Sequence, residues 1–176
     1  MVPMKIISFI YSESGHEMVL RGDSSLLNGR KPFFLPEESE IGATPCTILR
    51  VSRLGKEIGL KFADRYYDAY APGVDFVAMD ILREAQAAGK PWTSAVAFDY
   101  SLAIGEWTEV LSGKEQWTKE LVISPEEAIV EASRIMTIRQ GDLITIQHRQ
   151  APRKVQKEEI IRAEIDGEEK LYCKIK

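Results

Sequence analysis

The sequence contains only two cysteines and two histidines, the residues that build most zinc and redox sites. Its 176 residues include two cysteines, Cys46 and Cys173, whose spacing matches no zinc or dithiol motif. We therefore expect two free thiols in a reducing cytosol. No glycine-rich phosphate loop follows a predicted strand, which argues against a nucleotide-binding fold.

Long apolar runs and a strong net charge are also lacking. No segment approaches the roughly 20 apolar residues of a membrane span. The formal net charge of −4 gives no general attraction to nucleic acid or to anionic membranes. The apolar N-terminal run has one lysine and no small-residue cleavage site, which indicates no signal peptide. These features predict a cytoplasmic protein with neither nucleic acid nor membrane as a partner.

The composition is that of an ordinary soluble globular protein. Hydrophobic residues make up 44% and charged residues 28% of the chain, and the length suits one domain spanning 1–176. The patterns predict a β-rich α+β domain with about three helices. Local signals include a turn at 112–114, a capping box from Ser124 to Glu127, and a C-terminal hairpin around Asp166 and Gly167.

The stretch from Thr44 to Asp80 organises the rest of the sequence. Alternating side chains up to Val51 predict a half-buried strand. Apolar residues then recur at helical spacing, which predicts a helix ended by Pro72 and Gly73; these are Leu60, Ala63, Tyr67 and Tyr70. The segment 74–78 has the β-rich composition of a second strand.

That second strand carries one acid, Asp75, among apolar neighbours. A buried carboxylate is costly unless it is paired, hydrogen-bonded or bound to a cation. The sequence leaves two interpretations open. Asp75 either caps the segment that begins near Met79, or it belongs to a functional site.

Four segments in the same order resemble the fumarylacetoacetate hydrolase family, in its branch of small single-domain bacterial members. They are DSSLLNGRKPFFLP, RLGKEIGLKFADRYYDAYAPGVDFVAMD, GKPWTSAVAFDYSLAIGEW and IMTIRQGDLITI. The resemblance implies the family's mixed, barrel-like β-roll, with strands curling around an internal pocket and a few short helices. It also implies a homodimer.

The resemblance further implies how active relatives hold magnesium or manganese, through a Glu-x-Glu pair and a later Asp. In this chain the pair corresponds to Thr44 and Cys46, and only the third position, Asp75, keeps its acid. Hard divalent cations prefer several charged oxygen ligands, and a thiol is soft and must lose a proton. We therefore predict no cofactor and no metal ligands, with Asp75 as a vestigial ligand position.

Other positions that the resemblance implies for chemistry have also changed. The family's lysine before its Phe-Asp pair is Val96, its Ala-Arg-Asp arginine is Met79, and Arg21 stands where a lysine is usual. A Gly-Thr-Pro loop reads Gln147, His148, Arg149. No catalytic residue is predicted. The vestigial pocket is expected to comprise Arg21, Thr44, Cys46, Asp75, Met79, Asp80, Val96 and Asp99.

Three functional hypotheses follow from the resemblance. The first is a fumarylacetoacetate hydrolase-like protein with a dismantled site, which binds a ligand or acts in an interaction. The second is a hydrolase, isomerase or decarboxylase that acts on a small 2-oxo or acylpyruvate-type acid through a rebuilt site. The third is an unrelated binding protein that shares the fold alone. Metal-assisted C–C cleavage needs a Lewis acid and a base, which favours the first hypothesis.

Two polar segments have both an ordinary and a functional interpretation. His16 and Glu17 are adjacent, without the separation of the lid His-Glu pair that the family resemblance implies, and are expected to be a solvated loop pair. The stretch 147–157 is basic and is expected to be a solvated loop rather than an anion site. Its charges come from Arg149, Arg153, Lys154 and Lys157.

Overall fold

The computed structural model describes residues 5–110 and 120–176, so the turn predicted at 112–114 lies outside the described residues. The strands there are β1 (Ile6–Ser12), β2 (Gly15–Arg21), β3 (Leu26–Asn28), β4 (Ile41–Val51), β5 (Tyr67–Ala78), β6 (Leu102–Ile104), β7 (Thr108–Glu109), β8 (Leu143–Gln147), β9 (Arg153–Lys154), β10 (Ile160–Ile165) and β11 (Glu168–Lys174). The helices are α1 (Met79–Ala87), α2 (Thr93–Val96) and α3 (Pro125–Ile135), with two 3-10 segments, Asp23–Ser25 and Leu60–Tyr66. None of the described helices is both long and apolar enough to cross a membrane.

Nine of these strands form one mixed sheet. The hydrogen-bonded path runs β2-β1-β8-β4-β5-β6-β3, with β7 added beside β5 and β9 beside β4. The β1–β8 and β3–β6 pairs are parallel and the others are antiparallel. The path is open at both ends within the described ranges, so it is not a closed barrel. The strand-rich α+β fold predicted from the sequence is confirmed.

The β4–β5 pair is the longest ladder of the sheet. It runs from the Ile41–Ala78 pair to the Val51–Tyr67 pair. Pro45 lies in the middle of β4, between the residues that pair with β9 and those that pair with β8. Its missing N–H therefore costs no ladder bond, and its carbonyl accepts a hydrogen bond from His148 N at 2.9 Å.

The helix predicted to continue to Tyr70 is wrong. A short 3-10 segment ends at Tyr66, and β5 then runs without interruption through Pro72 and Gly73. Tyr67, Ala69 and Ala71 are buried in strict alternation, which is the period of a strand paired with β4. Apolar residues three and four positions apart also fit the helical pattern, so spacing alone did not distinguish a helix from a strand here.

The sheet curls so that its distant strands converge on one face, which we call the concave face. Ile6 of β1, Ile48 of β4 and Leu102 of β6 belong to one buried apolar cluster, although their strands lie far apart along the sheet path. On the other face, α3 packs Ala128 and Ile129 against the sheet. Both faces of the central strands are thus covered.

Two local predictions are confirmed. Ser124 caps α3 by accepting a hydrogen bond from Glu127 N, and the Glu127 carboxylate accepts one from Ser124 N, each at 3.3 Å. The hairpin β10–β11 forms around Asp166 and Gly167, with Ile161 opposite Cys173. Both features depend on residues close in sequence, which is why sequence patterns identify them.

Candidate functional site

A fully buried ion pair joins Arg21 and Asp75 on the concave face. Arg21 Nη2 lies 2.7 Å from both Asp75 Oδ1 and Asp75 Oδ2. The exposed fractions of the two side chains are 0% and 1%. The partners come from the edge strand β2 and the central strand β5, so they meet only because the sheet curls.

Further hydrogen bonds extend the pair into a network. Gln147 Nε2 donates to Asp75 Oδ2 at 2.9 Å, and Gln147 Oε1 accepts from Tyr11 N at 2.8 Å. Arg21 Nη1 donates to Ser101 Oγ at 3.3 Å. Both carboxylate oxygens of Asp75 are therefore engaged, and its charge is neutralised inside the fold.

The interpretation of Asp75 as a strand-end cap is wrong. The strand continues for three residues beyond it, to Ala78, and α1 begins at Met79 without a side-chain cap. The Asp75 side chain points instead to Arg21 and Gln147. The acid inside an apolar strand thus belongs to a buried polar network. That Asp75 occupies a vestigial metal-ligand position stays a prediction.

The network belongs to a polar layer between two apolar clusters. On one side of it lies the apolar cluster of Ile6 and Ile48, and on the other side lies the apolar cluster built around Ile10 and Val77. Several buried atoms of this region have no hydrogen-bond partner within the described part of the chain: Ser8 Oγ, Arg21 Nε, Ser25 Oγ, Thr44 Oγ1 and Thr145 Oγ1. The layer therefore keeps unused hydrogen-bonding capacity.

The strand register places Thr44 and Cys46 beside Asp75. Thr44 is the cross-strand partner of Asp75, and Cys46 lies two residues further along the same face of β4. Burial, and then the negative charge of Asp75, raise the pKa of the Cys46 thiol well above its usual value, so the thiol is neutral. The two positions that the resemblance equates with metal ligands are thus adjacent to the third and carry no charge.

This donor set does not fit magnesium or manganese. Asp75 is the one charged oxygen ligand of the three, and the Arg21 guanidinium already occupies both of its oxygens. A divalent cation there would also face a fixed positive charge at close range. Across residues 5–110 and 120–176, no three His, Cys, Asp or Glu side chains are grouped to hold a metal. The absence of a cofactor nevertheless stays a prediction.

The remaining positions of the predicted pocket fall into two sets. Met79 and Val96 lie in the apolar cluster of Ile10 and Val77, next to the network. Asp80 lies in the first turn of α1 and accepts a hydrogen bond from Glu40 N at 3.3 Å. Asp99 is exposed on a different groove. The structure thus groups Arg21, Thr44, Cys46 and Asp75, places Met79 and Val96 beside them, and separates Asp80 and Asp99 from them.

Gln147 and Ser101 were not predicted as parts of the site. Gln147 was noted only as the start of a changed loop, yet it is the last residue of β8 and is buried. Polar Thr145 and Gln147 alternate with apolar residues in LITIQ, and this alternation was the available signal. It shows which face of β8 is polar but not which residue that face contacts.

The expectation for His16 is also corrected. His16 lies in β2 rather than in a loop, and its Nε2 is 3.0 Å from Glu131 Oε2 of α3, so Glu17 is not its partner. The basic side chains of the stretch 147–157 are exposed as expected, but the segment is not a simple loop, because Gln147 ends β8, Arg153–Lys154 form β9, and Val155 is buried. Arg153 pairs with Glu159, Lys154 lies 3.3 Å from Glu40, and Arg149 donates to two backbone carbonyls.

Comparison with solved structures confirms the fold that the sequence resemblance implied. A protein described as a member of the fumarylacetoacetate hydrolase family, from Yersinia pestis CO92, superposes with a TM-score of 0.88 over 98% of this chain and 92% of its own, at 18% identity. Fumarylpyruvate hydrolase from Pseudomonas aeruginosa, solved with Mn²⁺ and pyruvate, gives a TM-score of 0.84 over 98% and 89%, also at 18% identity. The chain therefore has the fold of these proteins.

Sequence comparison adds one curated relative. Mitochondrial oxaloacetate decarboxylase of Dictyostelium discoideum is 27% identical over 139 residues, which is 69% of this chain and 64% of the relative. The match thus spans less than two thirds of that relative's length. No family model matches the sequence.

Removing one partner of the buried pair should destabilise the fold strongly. Asp75→Leu and Arg21→Met each leave an uncompensated buried charge, and we expect each to lower the free energy of unfolding by about 3–5 kcal/mol. The double variant Arg21→Met with Asp75→Leu leaves no buried charge and should lose much less than the sum. Urea unfolding of the single and double variants measures this coupling. Strictly additive losses, or single losses below about 1 kcal/mol, would contradict a coupled buried pair.

Proposed function

We propose that this protein is a non-catalytic protein of the fumarylacetoacetate hydrolase fold, in which an internal ion pair takes the place of a metal centre. Its role is then to bind a ligand or a partner rather than to cleave C–C bonds. The observation that carries this proposal is the Arg21–Asp75 pair, which is closed to solvent and bonded on both carboxylate oxygens.

Burial of the whole group supports the proposal. Thr44 is 1%, Cys46 is 3% and Val96 is 2% exposed. A substrate has to reach the groups that transform it, and most small-molecule sites are preformed clefts. Here the positions equated with chemistry lie within the polar layer or within the apolar cluster of Ile10 and Val77. Turnover at this place would require these layers to separate.

The chemistry of the side chains at these positions also supports a non-catalytic role. Cleavage next to a carbonyl requires a group that stabilises a developing enolate and a base that activates water. Val96 supplies neither charge nor a hydrogen bond. Both Asp75 oxygens already accept hydrogen bonds from Arg21 or Gln147, so neither is directed at a water molecule to be activated.

The alternative is an enzyme acting on a small 2-oxo or acylpyruvate-type acid. It is favoured by the likeness to an oxaloacetate decarboxylase and to a fumarylpyruvate hydrolase solved with pyruvate. Those activities belong to the named proteins. For this chain the alternative needs a rebuilt site that opens, and Arg21 would then be the residue that meets the carboxylate of the acid.

The purified protein should show no acylpyruvate hydrolase and no oxaloacetate decarboxylase activity with magnesium or manganese. The physical reason is that no free carboxylates remain to hold the metal beside Asp75. Product formation is followed at millimolar substrate, with Asp64→Asn as a control that removes an exposed acid elsewhere. Metal-dependent turnover that survives in the control and vanishes in a folded Asp75→Asn variant would establish the alternative.

We also propose that the protein is a cytoplasmic homodimer. Exposed apolar side chains on the 3-10 segment Leu60–Tyr66 and at the end of α3, which packs on that segment, support self-association; with Leu54 before the segment they are Leu60, Phe62 and Ile135. Such side chains are more often covered in an assembly than left in water. Equilibrium sedimentation at micromolar concentration should give twice the chain mass. A monomer mass throughout the concentration range would refute the dimer.

A further inference from the structure

A cavity lies at the end of the concave face that is opposite Met79 and Val96. We call it the Trp107 cavity. Its volume is about 630 Å³, within the usual range of small-molecule sites. Leu26, Ile104 and Leu143 form its apolar floor and belong to the same buried cluster as Ile6 and Ile48. Unlike the Arg21–Asp75 network, this end of the fold is open to a ligand.

One wall of the Trp107 cavity holds a fixed guanidinium. Arg50 Nε donates to Asp68 Oδ1 at 2.7 Å, and the Arg50 Cζ lies 5.5 Å from the centroid of the Trp107 ring. Within the described chain its Nη1 and Nη2 atoms have no hydrogen-bond partner. A guanidinium held by its Nε and its flat face presents both terminal nitrogens in the geometry that binds a carboxylate.

Another part of the cavity lining carries a negative charge. Asp23, at the start of the 3-10 segment Asp23–Ser25, lines the cavity, and its carboxylate has no cationic partner within the described residues. Since Asp68 neutralises Arg50, Asp23 leaves the lining with one net negative charge. A ligand that is only an anion is therefore repelled, and one that also carries an ammonium group gains a partner. Asn28 and Gln140 add amides that accept or donate.

We propose that the Trp107 cavity binds a small zwitterion, an amino acid with an apolar side chain. The carboxylate binds the terminal nitrogens of Arg50, the ammonium group binds Asp23, and the side chain packs on Leu26, Ile104 and Leu143. This proposal rests on the proposed function of ligand binding. It names the ligand of a protein whose Arg21–Asp75 region is closed to solvent. The site would also distinguish an amino acid from the 2-oxo acid of the same carbon skeleton, because the oxo acid lacks the ammonium group that Asp23 binds.

Calorimetric titration of the full chain tests this site with four probes. They are leucine, 5-aminopentanoate as a zwitterion of wider spacing, 4-methyl-2-oxopentanoate, which lacks the ammonium group, and 3-methylbutylamine, which lacks the carboxylate. Leucine should bind about tenfold or more tightly than either singly charged analogue, because each charge finds its own partner, and more tightly than 5-aminopentanoate, which has no side chain to pack on the apolar floor.

Two variants and two controls locate the binding. Asp23→Asn should weaken zwitterion binding by about tenfold and reduce its advantage over the oxo acid, and Arg50→Lys should weaken it while retaining the charge. Asp64→Asn and Arg134→Lys make the same two substitutions on exposed residues that do not line the cavity, and they should leave binding unchanged. Retained heat-unfolding temperatures show that the variants are folded.

Three outcomes would overturn the inference: no binding of leucine at millimolar concentration, equal binding of leucine and its oxo acid, or leucine binding unaffected by Asp23→Asn. These outcomes leave the proposed function standing as long as metal-dependent turnover is absent. Turnover that depends on Asp75 would refute the proposed function without any change in the titration at the Trp107 cavity. The two failures are therefore distinguishable.

Discussion

The ion pair between Arg21 and Asp75 is the interaction that links the distant strands of this curled sheet at its centre. It connects the edge strand β2 to the central strand β5 across the concave face. Taking two charges out of water is costly, and a buried pair is tolerated only when further hydrogen bonds complete it. Gln147 and Ser101 provide them from β8 and from the residue before β6. One charge pair thus holds four parts of the sheet in register.

The same pair explains why the two ends of the concave face differ. At the end near Val96, the positions that the resemblance equates with chemistry are apolar or internally neutralised, and they are buried except for Met79, which is half-buried. At the other end, Arg50 is held by Asp68 and Trp107 around a cavity with free polar atoms. Because Arg21 neutralises the buried charge of Asp75, the fold needs no bound cation for stability. Its remaining capacity for binding then lies where charged groups still meet solvent.

Sequence patterns identified the features that depend on near neighbours. The capping box at Ser124 and the hairpin at Asp166 were predicted because their determinants lie within a few residues. Asp75 stood out as an acid among apolar residues, which indicated a partner. That partner, Arg21, is 54 residues away, and no local pattern relates the two. Likewise the curl of the sheet, which brings them together, follows from long-range packing rather than from any one segment.

Titration of Mn²⁺ into the parent protein and into the variant Arg21→Ala, Thr44→Glu, Cys46→Glu tests the central claim most directly. The variant removes the internal cation and places two carboxylates beside Asp75, on one face of β4. We predict no binding heat for the parent. For the variant we predict binding and, at a hundredfold excess over the dissociation constant, stabilisation by about 2.7 kcal/mol. Mn²⁺ binding by the parent that disappears in Asp75→Asn would contradict the claim that an ion pair replaces the metal.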